Sequence, residues 1–378
     1  MRTISPLVSA WVGRGNFGDE LLSYGLRLEL YQASAVASVS YYEKGISSIY
    51  RAPDDAPIQA CNVAGQSRWV RLYKRYTQSC SAYDGLFFGG GSVLHSGNSI
   101  AWKHELLRRF RAGRSSASSL SAAVGVSLGP FPDVQAERQA KAFLAELDVV
   151  HCRDVLSADF ARQIHNGPEV IEGRDLAFSV RALRPDLFTA SKQRERVGAS
   201  FILSPKLGEE EQREQFSKML ALVNYLTAAG HQVLLASLYS GEKYADNRLH
   251  QRLHEAARQP ELVELHDYVG DVRATAEKIA SCSFYLSMRL HGVITAYLSG
   301  TPFFALNRHP KVLEFCSAVL GEQANNSQGD LSLALPELLE RLEMALQCAQ
   351  VQPRYEPQSD SRYADSSMAL VARLRSIA

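Results

Sequence analysis

The chain has 378 residues, of which 46% are hydrophobic and 21% are charged, and its formal net charge is +1. This length exceeds that of a typical single domain and predicts two, while the composition is that of a globular protein rather than a disordered one. The nearly neutral charge, without an extended run of Lys or Arg, argues against nucleic acid as a partner.

The cysteines and the apolar segments restrict the cellular setting. Six cysteines are scattered along the chain without a C-x-x-C pair, which predicts reduced thiols rather than a zinc site or a disulfide framework. The N-terminal residues lack the layout of a secretory signal, and no apolar run approaches the ~18 residues that span a bilayer. We therefore expect a cytoplasmic protein, with peripheral association at the inner face of the membrane left open.

The first predicted strand, residues 5–12, leads into a glycine-rich segment and then into a helix that starts at Asp19. Residues 13–18 match G-x-G-x-x-G, and Glu43 lies near the end of a second strand pattern, so a dinucleotide site is one interpretation. Against it, Asp19 and Glu20 place two negative charges in the first helical turn, where a pyrophosphate would bind. The alternative is a glycine-rich turn with acidic capping.

Asp19 itself has two interpretations. A carboxylate between a strand and a helix lies at the edge where doubly wound sheets bind ligands, so Asp19 could accept a proton from a substrate hydroxyl. The other interpretation is that it only caps the helix.

A triple glycine follows the next predicted strand, residues 84–88. Glycines leave backbone N–H groups open to a ligand, because no Cβ blocks its approach. We predict a ligand-binding turn here, the alternative being a flexible turn. The residues of this turn are Gly89, Gly90, Gly91 and Ser92, and His95 follows within reach.

A further strand, residues 148–154, ends on Arg153, with Asp154 as the expected N-cap of the next helix. Arg153 therefore lies at the carboxyl end of a parallel-type strand, the edge that binds ligands. The alternative role of its guanidinium is an ion pair with Asp154 or Asp175.

A polar segment without periodicity, residues 181–196, is the predicted domain boundary. Beyond it, strands alternate with helices of 10–20 residues, which indicates a second parallel sheet. We predict an N-terminal domain of residues 1–185, a C-terminal domain of residues 186–358, and a final helix in residues 359–378 that packs back on the N-terminal domain. The predicted fold class is α/β, with two doubly wound Rossmann-like domains facing a cleft, as in the GT-B glycosyltransferases.

The most distinctive stretch of the C-terminal half is the end of an apolar run at residues 284–292. If this run is extended, Ser287, Arg289 and His291 share one face. A fixed cation and a titratable base at the end of a buried strand suit an anionic substrate that exchanges protons. The alternative is a polar pair that only satisfies backbone carbonyls.

Four blocks of sequence carry a resemblance to a known family. They are G-R-G-N-F-G-D-E-L at 13–21, F-F-G-G-G-S at 87–92, R-D-V-L-S at 153–157, and S-M-R-L-H-G-V-I-T-A-Y-L-S-G-T-P at 287–302, with Lys311 following. In this order the blocks resemble the polysaccharide pyruvyl transferase family and cover nearly the whole chain.

The resemblance implies a reaction. Members of that family transfer the enolpyruvyl unit of phosphoenolpyruvate to two hydroxyls of one sugar, giving a pyruvate ketal and free phosphate. The implied donor substrate is phosphoenolpyruvate, with no further cofactor and no metal, and the acceptor is a sugar of a polysaccharide or of a lipid-linked precursor. A glycosyltransferase of the same shape that uses a nucleotide sugar, and a non-catalytic glycan- or phosphate-binding protein, are the alternatives. The sequence does not predict the oligomeric state.

The resemblance assigns the donor site, and the chemistry of the reaction suggests the roles of the other residues. Arg289, Leu290 and His291 form the donor site, Leu290 mainly through its backbone, and His291 is the general acid. The carboxylate and phosphate of the donor need two cations, for which Arg153 joins Arg289. Lys311 neutralises the departing phosphate or is a surface lysine, and Asp19 is the candidate base. The glycine-rich segments form the acceptor side, comprising Gly15, Asn16, Gly18, Gly89, Gly90, Gly91 and Ser92.

Overall fold

The structure is a computed structural model that describes residues 4–33, 39–41, 58–60, 80, 82–94, 97–113, 119–241, 245–307, 309–351 and 354–376. The chain divides into two compact units. The first comprises Met1–Gly13, Asp19–Leu183 and Pro357–Ala378, and the second comprises Arg14–Gly18 and Arg184–Glu356. The short segment Arg14–Gly18, which the sequence prediction placed in the N-terminal domain, thus makes its contacts within the second unit.

The first unit is built on a parallel sheet whose strands alternate with helices. In chain order its elements are β1 (Pro6–Ser9), α1 (Phe17–Ala33), β2 (Val39–Tyr41), β3 (Ile58–Ala60), β4 (Gly85–Leu94), α2 (Gly97–Ala112), β5 (Leu120–Leu128), α3 (Val134–Leu144), β6 (Val149–Cys152), α4 (Val155–Arg162), β7 (Glu169–Glu172) and α5 (Leu176–Leu183). The strand order is β3-β2-β1-β4-β5-β6-β7. The order reverses between β1 and β4, so the segments that leave these two strands flank the place where such sheets bind ligands.

Helices cover both faces of this sheet, which explains why its central strands are apolar throughout. Phe87 and Phe88 are neighbours in β4 and both are fully buried, but their side chains belong to different core clusters. Phe88 packs with Phe110 and Phe143 of α2 and α3, while Phe87 packs with Leu26 of α1. The alternation of a β-strand thus distributes one apolar run over two cores.

The second unit repeats the pattern with a smaller parallel sheet. Its elements are β8 (Gln193–Ser200), α6 (Glu209–Ala228), β9 (Gln232–Ser237), α7 (Asp246–Ala256), β10 (Val263–Asp267), α8 (Val272–Ala280), β11 (Cys282–Ser287), α9 (Leu290–Leu298), β12 (Phe303–Ala305), α10 (Pro310–Leu320) and α11 (Leu335–Gln347). The strand order is β10-β9-β8-β11-β12. The reversal lies between β8 and β11, and the segment after β11 contains Arg289 and His291. These two parallel sheets with their helices confirm the predicted α/β class.

The last helix, α12 (Ser361–Arg375), belongs to the first unit. Its Leu370 and Leu374 are buried in the same core cluster as Leu26 of α1. Ser367 donates a hydrogen bond of 2.9 Å to the buried Glu29, whose pKa is raised because burial disfavours the charged carboxylate. The helix is therefore fixed to its unit by both apolar and polar contacts.

The structure contains no helix, within the described ranges, that is long and apolar enough to cross a membrane.

Candidate functional site

The corner between β11 and α9 holds the residues that the sequence singled out most strongly. Strand β11 ends at Ser287, and Arg289, with φ −104° and ψ 132°, is the N-cap of α9. Leu290 and His291 are already helical. The predicted extended face shared by Ser287, Arg289 and His291 is therefore wrong. The reason is local, because Ser287 Oγ accepts a hydrogen bond from Arg289 N (3.0 Å) and donates one to Arg289 O (2.8 Å), which turns the chain.

Two glycines allow this corner to be tightly packed. A Cβ at Gly292 would lie 2.2 Å from Ser287 Oγ, so only glycine fits beside the serine that makes the turn. A Cβ at Gly18 would lie 2.2 Å from Nδ1 of His291, so the imidazole ring lies directly against the backbone of the glycine-rich segment. These contacts fix the position of the His291 ring, which remains partly exposed.

Arg289 forms a two-pronged ion pair with Asp246, the first residue of α7. Its Nε donates to Asp246 Oδ2 at 2.6 Å and its Nη2 to Oδ1 at 2.5 Å. The carboxylate is 2% exposed and the arginine side chain 24%. Burial raises the pKa of Asp246, while Arg289 and the backbone N–H groups of Leu238 and Tyr239 act in the opposite direction. The arginine side chain is therefore partly exposed, and the buried carboxylate fixes the orientation of its guanidinium.

The geometry of this pair determines which donors Arg289 can offer a ligand. A guanidinium carries five N–H donors in a planar fork, and the side-on pairing with Asp246 engages the edge formed by Nε and Nη2. The edge that contains Nη1 is the one suited to a bidentate contact with a carboxylate or phosphate. The first backbone N–H groups of α9, at Leu290 and His291, have no acceptor within the helix and add the positive end of its dipole. The corner is thus suited to an anion.

The glycine-rich segment is held in place by the end of β9. Gly15, with φ +67°, accepts a hydrogen bond from Ser240 N at 2.8 Å, and Phe17 N donates to Leu238 O at 3.0 Å. Asn16 Oδ1 accepts from Gly18 N at 3.1 Å and so caps α1. The N–H groups that a pyrophosphate would need are therefore engaged by the protein, which argues against the dinucleotide interpretation.

A buried polar chain lies under the same edge of the sheet. Phe201 N donates to Nε2 of His250 at 3.1 Å, which leaves Nδ1 as the protonated nitrogen that donates to Ser237 Oγ at 3.0 Å. Ser237 in turn donates to Asp267 Oδ1 at 3.1 Å. Burial lowers the pKa of His250 to about 3, with the charge of Arg289 adding to the effect. His250 is therefore neutral and joins the ends of β8, β9 and β10.

Lys311 lies at the start of the next helix along the sheet. Strand β12 is parallel to β11, and α10 begins at Pro310, so α9 and α10 both start from the carboxyl edge of this sheet. His309 caps α10 by accepting a hydrogen bond from Lys311 N at 3.3 Å. Asn307 donates to Met288 O at 2.7 Å and thereby connects the two corners. Lys311 is partly exposed, and its role toward a phosphate stays a prediction.

The triple glycine of the first unit is not a turn, and that part of the prediction is wrong, while its role toward a ligand stays a prediction. Strand β4 continues through Gly89, Gly90 and Gly91 to Leu94. A Cβ at Gly89 or Gly90 would lie 2.7 Å from a side-chain atom of α1, Leu26 Cδ2 or Leu22 Cβ respectively. Gly89 and Gly90 therefore let α1 pack close to the strand.

Asp19 lies beside the end of this glycine run. A Cβ at Gly91 would lie 3.4 Å from Asp19 Oδ1, so the carboxylate lies over the strand next to the reversal point of the first sheet. Asp19 and Ser92 are both partly exposed. Their predicted roles toward the acceptor stay predictions, and His95 lies outside the described residues.

Arg153 is engaged within its own unit. Its Nη1 donates to Asp175 Oδ2 at 2.8 Å and its Nε to Ser127 Oγ at 2.7 Å, and the arginine and aspartate side chains are each 6% exposed. Of the two ion-pair partners considered from the sequence, Asp175 is the one observed, while Asp154 accepts from Ser157 N and caps α4. The predicted contact of Arg153 with the donor is not tested by this arrangement.

Sequence reasoning missed Asp246, Tyr239 and His250, which surround Arg289 in the second unit. The Tyr239 ring lies 5.5 Å from Cζ of Arg289, a cation–π distance. An available signal was the position of Asp246, an acidic residue at the start of a helix that follows an apolar strand. Among the described residues, no group of three or more His, Cys, Asp or Glu side chains is arranged to hold a metal ion.

Comparisons with known proteins show the family and the fold of the chain. The family model for polysaccharide pyruvyl transferase matches residues 16–310. A comparison with curated protein sequences gave no significant match.

Solved structures of similar fold include three UDP-GlcNAc 2-epimerases. The enzyme from Methanocaldococcus jannaschii has 10% identity and a TM-score of 0.62, covering 98% of this chain and 99% of its own. The enzyme from Neisseria meningitidis, bound to UDP-GlcNAc, has 9% identity and a TM-score of 0.56, covering 99% of both chains. The enzyme from Rickettsia bellii has 10% identity and a TM-score of 0.57, covering 100% of this chain and 96% of its own. At these identities the likeness concerns the fold alone, and it confirms the predicted GT-B-like class.

Proposed function

Because the chain belongs to the polysaccharide pyruvyl transferase family, we propose that it transfers the enolpyruvyl group of phosphoenolpyruvate to two hydroxyls of one sugar. The products are a cyclic pyruvate ketal and phosphate. The acceptor is a sugar of a polysaccharide or of its lipid-linked precursor. The observation that carries this proposal is the corner at the end of β11, where an oriented arginine, a helix N-terminus and a histidine come together.

The donor is an anion at both ends, which matches what the corner offers. Arg289 is held by Asp246 through Nε and Nη2, so the edge that contains Nη1 lies outside this ion pair, and α9 begins with its positive dipole end at Leu290. We propose that the carboxylate or the phosphate of phosphoenolpyruvate binds at this corner. Lys311, at the start of the neighbouring helix, is the proposed partner of the departing phosphate.

The chemistry needs one proton delivered and two removed. His291 donates a proton to C3 of the enol, which makes C2 an oxocarbenium-like electrophile, and the first sugar hydroxyl forms a C–O bond to C2 while losing its proton to a base. Asp19 is the proposed base. The second hydroxyl then forms the other C–O bond to C2, and the bond from C2 to the phosphate oxygen breaks. Of the two protons lost by the sugar, one balances the proton gained by the methyl group and the other leaves with phosphate.

Arg153 is the second cation that we propose for contact with the donor. Its two described contacts, with Asp175 and Ser127, already use Nη1 and Nε. Alanine substitution at Arg153 and asparagine substitution at Asp175 are therefore expected to lower the stability of the protein, since each leaves a buried charge without its partner.

The direct test is incubation of the purified protein with phosphoenolpyruvate and a panel of β-glycosides. Phosphate release that depends on the acceptor, together with a sugar product whose mass increases by one pyruvate ketal, is the expected result. A nucleotide-sugar transferase is the second candidate, since the similar folds include an enzyme bound to UDP-GlcNAc. It predicts thermal stabilisation by UDP and none by phosphoenolpyruvate, which would contradict the proposal.

A further inference from the structure

Three observations converge on Asp246, a residue to which neither the sequence motifs nor the family resemblance assigns a role. It is the first residue of α7 and is 2% exposed. A carboxylate so deeply buried is costly unless its oxygens are engaged, and here both are. Its partners come from two different segments, so Asp246 connects these segments in addition to pairing with an arginine.

One set of partners is Arg289. The contacts of 2.6 Å and 2.5 Å engage one edge of the guanidinium and therefore fix its plane. An arginine side chain has several rotatable bonds, so an unsupported Arg289 would lose its orientation and pay an entropic cost each time it bound a ligand.

The other partners are backbone groups at the end of β9. Asp246 Oδ2 accepts from Leu238 N at 3.1 Å and from Tyr239 N at 3.0 Å. The carbonyl of Leu238 accepts from Phe17 N, in the segment whose Gly18 contacts the ring of His291. The same carboxylate thus supports the arginine and, through the end of β9, the segment against which the histidine packs.

We propose that Asp246 is the positioning residue of the donor site, which orients Arg289 for phosphoenolpyruvate and supports the segment beside His291. This inference rests on the proposed function. It does not make Asp246 a catalytic residue, because the carboxylate acts through Arg289 and the backbone and touches no reacting atom. The negative charge matters as much as the shape, since an amide in its place would direct N–H groups toward donors.

The test is the binding of phosphoenolpyruvate alone, measured by calorimetry, to the wild type and to Asp246→Asn. The expected result is an affinity lower by about tenfold to a hundredfold, because a charge-assisted contact loses its orientation. Glu264→Gln is the matched control. Glu264 also pairs with an arginine of the same unit, Arg196, at 2.7 Å, but it lies on β10, which two strands separate from β11. This control should bind phosphoenolpyruvate as the wild type does.

A double-mutant cycle of Asp246 and Arg289, measured by melting temperature, supplies a second test. Asp246→Asn should lower the melting temperature of the wild type, but it should raise that of Arg289→Ala, in which the buried carboxylate has lost its cation. A destabilisation of equal size in both backgrounds would show that the carboxylate does not act through Arg289. Unchanged phosphoenolpyruvate affinity in Asp246→Asn would overturn the inference and leave the proposed function standing. Absence of binding to the wild type itself would overturn both.

Discussion

At the scale of single residues, Arg289 and His291 are held in place in two different ways. Arg289 is oriented by a buried carboxylate, whereas His291 is partly exposed and lies against the bare backbone of Gly18. The first arrangement gives a permanent charge in a fixed direction, and the second holds an imidazole ring at the same corner of the second unit.

His291→Asn should spare donor binding and lower turnover by about 10²- to 10⁴-fold, the usual contribution of a general acid. The asparagine keeps a polar side chain in the place of the ring but cannot deliver a proton. Steady-state kinetics with an accepted glycoside would check this. A raised KM for phosphoenolpyruvate with unchanged kcat would assign His291 to binding rather than to proton transfer.

The sequence singled out Arg289 and His291, but it did not predict their conformation. Period-two alternation assumes that the strand continues, and the hydroxyl of Ser287 ends it. Asp246 could not be linked to Arg289 in advance, because 43 positions separate them along the chain and the contact depends on the pairing of β9, β8 and β11. Long-range side-chain pairs of this kind carry no local pattern.

At the scale of elements, glycines determine how closely helices approach their neighbours. The alternation of strands and helices that includes α6 and β10 was predicted, since its hydrophobic periodicity is regular. The strand conformation of Gly89–Gly91 was not predicted, because glycines in a buried strand have the same local sequence pattern as a turn. Only the side chains of α1 that occupy the missing Cβ positions distinguish the two.

Gly90→Ala should destabilise the first unit by about 1–3 kcal/mol, because φ is +66° and the added Cβ would lie 2.7 Å from Leu22 Cβ. Urea unfolding measures the change. Gly208→Ala is the control, since no atom lies within 4 Å of its added Cβ and φ is −62°. Equal stability of the two variants would contradict the packing role of Gly90.

Gly18→Ala tests the contact between Gly18 and His291 within the second unit. The added Cβ would lie 2.2 Å from Nδ1 of the imidazole ring and would displace it, so we expect turnover to fall by about tenfold or more, with a loss of stability of about 1–3 kcal/mol. Kinetics and thermal unfolding of the same variant separate the two effects. Full activity would show that the position of the ring against Gly18 is not required.

At the scale of the whole molecule, each unit carries a histidine that is buried in its neutral form. Burial lowers the pKa of His151 in the first unit to about 4 and that of His250 in the second unit to about 3. Both values lie below the ordinary value of 6.5 that applies to the unfolded chain. The unfolded state therefore binds more protons than the folded state below that value.

The free energy of unfolding should consequently be highest above pH 6.5 and should fall as the pH drops toward 4. Each histidine contributes a slope of about 1.4 kcal/mol per pH unit within this window. Urea unfolding at a series of pH values would measure the slope, and His250→Gln should reduce it, whatever its effect at neutral pH. An unchanged slope in this variant would contradict a neutral His250 in the folded protein.

The fold class was predictable because two runs of alternating strands and helices give two parallel sheets, whatever the exact bounds of each element. The assignment of Arg14–Gly18 to the second unit was not predictable from the sequence. It depends on backbone hydrogen bonds from Phe17 N to Leu238 O and from Ser240 N to Gly15 O. Backbone contacts between distant segments do not constrain side-chain identity and so leave little trace in a single sequence.

The central claim is that the corner at the end of β11 binds phosphoenolpyruvate through Arg289. Calorimetric titration of phosphoenolpyruvate into the wild type, Arg289→Ala and His291→Asn tests it most directly. We predict binding to the wild type, similar binding to His291→Asn, and a loss of about 2–4 kcal/mol in Arg289→Ala, since an anionic ligand loses its charged partner. Wild-type affinity in Arg289→Ala would contradict the claim.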